Sequence, residues 1–149
     1  MVASSLLDGT PGLVLYLALK LGLYLSWSYV GVRWLSPGTG RPLLRGVALG
    51  VGRFLLGWVV GASVVPFILV AGALGHLSLF YFTGLGLVRW LEWGLIQSFI
   101  PSNPHLSVEL LTAANARGRL WRCIGVVLSY LPDAPFLLAH GFPRGRFLC

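Results

Sequence analysis

Five charged residues lie in or near apolar stretches of this chain: Lys20, Arg53, Arg89, Glu92 and Asp133. Charges in such surroundings need a partner or a ligand, because Arg, Lys or Asp at the centre of a bilayer costs about 2.5–3.5 kcal/mol on insertion scales. Arg89 and Glu92 are three residues apart, on one face of any helix, and are expected to neutralise one another. Should Arg53 lie close by, one carboxylate would face two guanidiniums, and the surplus positive charge would suit a lipid phosphate. Lys20 is too deep in its stretch for snorkelling to bring it fully to water, so its expected contact is a backbone carbonyl or Glu92. Asp133 sits between Pro132 and Pro135. Its expected role is turn chemistry, accepting from following amides. The alternative is a catalytic acid or base on a re-entrant loop, with His140 as the nearest partner.

Other chemistries find little footing. Cys123 and Cys149 form no CxxC, and no histidine stands beside either at ligand spacing, so no metal site or disulfide framework is expected. His76, His105 and His140 do not fall on facing apolar runs, as a haem would need. No GxSxG elbow and no phosphate loop occurs. No cofactor is implied.

The remaining arginines gather between the apolar runs: Arg41 and Arg45 in one cluster, with Arg33 beside them, and Arg117, Arg119 and Arg122 in another. Both suit the cytoplasmic side of a membrane, where they would set topology and meet anionic headgroups. Nucleic acid is not an expected partner, since no soluble module presents these charges.

The elements that carry these residues follow from composition. The chain has 149 residues, 56% hydrophobic and 10% charged, with 11 basic and 4 acidic residues. A soluble domain is about 25% charged. So few charges cannot cover a water-facing surface, which excludes a soluble globular enzyme, a disordered chain and a collagen-like repeat. The expectation is one all-α integral membrane domain over residues 1–149. Its spans are read at about 11–32, 54–73 and 77–100. The glycine- and proline-rich turn at 36–42 separates the first two. Residues 43–53 are read as an interfacial segment ending near Arg53. A short surface helix is expected from Ser107, with Glu109 in its first turn. The segment at about 119–141 is read as a re-entrant or interfacial hairpin, because Pro132, Asp133 and Pro135 would break a fourth span. Four full spans are the alternative. Gly46, Gly50, Gly57 and Gly61 give two GxxxG spacings, where a neighbouring helix could approach closely.

Three functions are compatible with this reading. The leading one is non-enzymatic: a packing subunit or interaction partner within a membrane assembly or homo-oligomer, in contact with membrane lipids. The second is an intramembrane enzyme or carrier handling a phosphorylated lipid. The third is a small oligomeric channel favouring anions. The expected location is a bacterial inner (plasma) membrane, with the amino terminus outside and the basic loops in the cytoplasm.

Overall fold

The computed structural model describes residues 9–38, 40–73, 75–76, 79–100 and 115–135, and every element among them is helical. Helix α1 runs Gly9–Leu35 and α2 runs Pro42–Ala73. A π-helical turn, Phe80–Gly84, leads into α3, Leu85–Ser98. Helix α4 spans Ala116–Tyr130 and tightens into a 3-10 turn at Leu131–Asp133. Two of these helices have stretches long and apolar enough to cross a membrane: Pro11–Leu35, of 25 residues, and Pro42–Val64, of 23 residues.

Glycine sets the closest approach. A Cβ on Gly46 would lie 2.6 Å from the Tyr29 Cα, and one on Gly50 would lie 2.7 Å from the Leu25 Cα. Those contacts are backbone against backbone, so α1 and α2 pack antiparallel at a distance only glycine permits. Arg41 (φ 53°) and Gly75 (φ 74°) hold left-handed backbone at the two turns that flank α2.

Helix α4 returns along α1 and α3. Trp27 and Trp121 stack with centroids 6.3 Å apart and exchange indole hydrogen bonds. Trp27 Nε1 donates to the Trp121 carbonyl (3.1 Å), and Trp121 Nε1 donates to the Trp27 carbonyl (3.3 Å). On α3, Trp93 donates to Ser129 Oγ (3.0 Å), and its ring fills the space a side chain at Gly125 would occupy. The α4 start is capped by Asn115, which accepts from the Gly118 amide at 2.6 Å. The successive helices therefore alternate in direction around a core of Tyr24, Val32, Trp93, Ile96, Ile100 and Trp121.

Apolar side chains lie on the outside of the bundle as well as in its core. Among the described residues, eight polar or charged side chains are buried, while 22 large apolar ones are exposed.

Two boundaries differ from the sequence expectation. Helix α2 is uninterrupted from Pro42 to Ala73 where a break near Arg53 was expected, and Arg53 is buried and faces the bundle interior. The segment from 119 begins within a helix packed lengthwise in the bundle, and the hairpin expected of it cannot be followed past 135, where the described residues end. The surface helix expected around Ser107 and Glu109 also lies outside them, as do His105, His140 and Cys149.

A buried charge network as candidate functional site

Helix α1 buries every fourth residue from Gly12 to Val32, through Tyr16, Lys20, Tyr24 and Ser28. Residues four apart form one ridge of a helix. This ridge carries an ammonium, two phenols and a hydroxyl into the bundle centre, where the other three helices bring the remaining charges.

Asp133 is the hub. Its Oδ1 accepts from Tyr16 (2.7 Å) and from Lys20 Nζ (3.2 Å), and Lys20 also donates to the Tyr16 hydroxyl. Its Oδ2 accepts from Tyr81 (2.5 Å) and from Arg89 Nη2 (2.9 Å). One carboxylate thus takes four donors from α1, the π turn and α3. The π turn places Tyr81, and its widened backbone leaves carbonyls for other donors. The Tyr130 hydroxyl lies 3.1 Å from the Tyr81 carbonyl and 3.3 Å from that of Phe82. The Arg89 guanidinium lies 3.8 Å from the centre of the Tyr130 ring, a cation–π contact.

The second pair is Arg53 with Glu92, at 2.5 Å. Arg53 also faces the rings of Tyr24 (4.8 Å) and Trp93 (5.3 Å). The pairings correct the expectation on three points. Glu92 pairs with Arg53 from α2 rather than with Arg89 on its own helix. Arg89 and Lys20 both go to Asp133. Asp133 is a buried acceptor of four side-chain donors, and the amides beyond 135 to which its expected turn role looked lie outside the described residues. The reason is the same each time. Bundle geometry brings cations from three helices to two acids, and an intrahelical pair would have left Asp133 with fewer cations.

The five charged residues are therefore buried in two ion-paired groups, Lys20–Asp133–Arg89 and Arg53–Glu92, joined through α3 and carrying three positive and two negative charges together. Three guanidinium nitrogens within them, Arg53 Nε, Arg53 Nη1 and Arg89 Nη1, have no hydrogen-bond partner among the described residues, nor do Tyr24 Oη and Ser28 Oγ. A narrow cleft of about 20 Å³ between α2 and α3 reaches these charges. Gly57, Val60, Gly61 and Val64 line one wall, and Leu85, Val88, Arg89 and Glu92 line the other. The GxxxG glycines thus divide: Gly46 and Gly50 contact α1, while Gly57 and Gly61 border the cleft.

The peripheral arginines lie at one end of the bundle. Arg45 Nη2 donates to the Phe99 carbonyl (3.0 Å), tying the start of α2 to the end of α3. Arg33, Arg41, Arg117 and Arg119 are exposed. Arg122 departs from the expected headgroup role: it is buried, donates to Gln97 Oε1 at 2.5 Å and faces the Trp90 ring. Among the described residues no group of three or more His, Cys, Asp or Glu could hold a metal ion. Sequence reasoning overlooked Tyr16, Tyr24, Ser28 and Tyr81. The four-residue ridge on α1 was the available signal for the first three; Tyr81 carried none, because its placement depends on the π turn.

No protein-family model, curated protein or solved structure matches this chain.

Proposed function

We propose that the protein is an integral membrane protein, a small helix bundle serving as a packing subunit or interaction partner in a membrane assembly or an oligomer of itself. One observation carries the reading: 22 large apolar side chains are exposed while eight polar or charged ones are buried. In water this arrangement forgoes apolar burial, at about 25 cal/mol per Å², while still desolvating the charges. In a bilayer the apolar surface is solvated by acyl chains, and internal pairing is the favourable state for the charges. Helix α2 would be about 48 Å long at 1.5 Å per residue, more than a ~30 Å hydrocarbon core, and so would tilt or protrude. In this reading α1, α2 and α3 cross the membrane, and α4 enters from the arginine-bearing end to reach Lys20. That end faces the cytoplasm of a bacterial inner membrane by the positive-inside rule.

The test is fractionation and native purification. The chain should pellet with membranes, resist carbonate extraction, require detergent, and co-elute with a second membrane protein or with further copies of itself. A monodisperse monomer in plain buffer refutes the reading.

A further inference from the structure

We infer that the α2–α3 cleft is an anion-binding site for a phosphate-type oxyanion, with Arg89 as the direct ligand and the charge of Arg53 behind it. Two independent features converge on this assignment. The first is an opening: Gly57 and Gly61 contribute no side chain to their wall of a small cleft, and Arg89 and Glu92 belong to the facing wall. The second is uncommitted donor capacity beside it. Arg89 is 5% exposed, spends Nη2 on Asp133, and has a buried Nη1 with no partner among the described residues. Arg53, fully buried, is in the same state at Nε and Nη1. A buried charged donor without an acceptor is costly, and an anion is the ligand that relieves it.

The charge count agrees. Lys20, Arg53 and Arg89 against Glu92 and Asp133 leave one net positive charge. A singly charged anion brings the network to neutrality, the preferred state in a low-dielectric interior. Size restricts the ligand. The whole cleft has room for about one water. A single oxygen of an oxyanion therefore enters to reach Arg89, and the rest of the ligand stays outside the cleft, at the surface of α2 and α3. A lipid phosphodiester would place its chains along the exposed apolar surface of α2 and α3; inorganic phosphate would enter alone.

Membrane insertion is needed only for the lipid source, so the two probes separate the readings. The full chain, stripped of lipid in detergent, is titrated with inorganic phosphate and followed by tryptophan fluorescence. In parallel it is transferred to nanodiscs of neutral glycolipid doped with phosphatidylglycerol, and retained lipid is read by native mass spectrometry. Binding of one probe should be saturable. Val88→Phe obstructs the cleft without touching an ion pair and should weaken binding at least tenfold. Arg89→Gln should do the same, and Glu92→Gln, which raises the net charge, should strengthen it by about tenfold. That increase distinguishes a ligand site from a purely structural network, which Glu92→Gln would only weaken. Retention of phosphatidylglycerol alone identifies the lipid source, and a response to phosphate alone identifies the free ion. A folded protein that binds neither probe overturns the assignment, as does binding that Val88→Phe leaves unchanged. Should the chain prove soluble without detergent, insertion fails, yet the phosphate titration still decides the site.

Discussion

Removing Asp133 should cost far more than removing either cation it holds. Asp133 serves two cations and two phenols, whereas among the described residues Lys20 and Arg89 each form an ion pair with Asp133 alone. At 3.2 Å and 2.9 Å, each ion pair has a gross attraction of about 5–6 kcal/mol at an effective dielectric of ~20. Much of that is cancelled by desolvation, and breaking a buried pair from one side costs about 3–5 kcal/mol net. Asp133→Ala raises the network from one to two net positive charges and leaves two cations without a carboxylate, so a loss at the upper end, about 4–5 kcal/mol, is expected. Lys20→Met removes a cation while Asp133 keeps Arg89, and the network becomes neutral. Its expected cost is about 1 kcal/mol. The double variant should recover about 1–3 kcal/mol relative to the sum of the singles. The assay is reversible unfolding in mixed micelles with increasing sodium dodecyl sulfate. Trp93 and Trp121, both buried in the core, serve as the intrinsic fluorescent reporters. If Lys20→Met destabilises as much as Asp133→Ala, or Asp133→Ala lies within ~0.5 kcal/mol of the parent, Asp133 is not the hub.

Other predictions follow from the same contacts. Gly50→Leu should destabilise by about 1–3 kcal/mol or more, because the added Cβ meets the Leu25 backbone, whereas Gly52→Ala, with nothing within 4 Å, should be neutral or slightly stabilising; the micelle titration compares them. Trp93→Phe should lose about 0.5–1.5 kcal/mol with the bond to Ser129, measured in the same way. In a background with Cys123 and Cys149 replaced by serine, Arg41→Cys and Arg119→Cys should react with a membrane-impermeant maleimide from one side, and His76→Cys from the other. Labelling of Arg41→Cys and Arg119→Cys from opposite sides would refute the shared basic end.

That the chain has helices long and apolar enough to cross a membrane was legible in the sequence because hydropathy is additive along the chain. Helical class followed for the same reason, since a backbone in hydrocarbon must satisfy its own hydrogen bonds. The residues of the network were legible too, because an ionisable group in an apolar run stands out wherever it is. Their pairing was not. Sequence spacing reports neighbours within one helix, and so it joined Arg89 to Glu92. The actual partners, Arg53 with Glu92 and both Lys20 and Arg89 with Asp133, are separated by 39, 113 and 44 positions. Only the packing of four helices decides such contacts, because electrostatic energy depends on distance in space and not along the chain. The same holds for Arg122, which reads as one more basic loop residue until the end of α3 sets Gln97 against it.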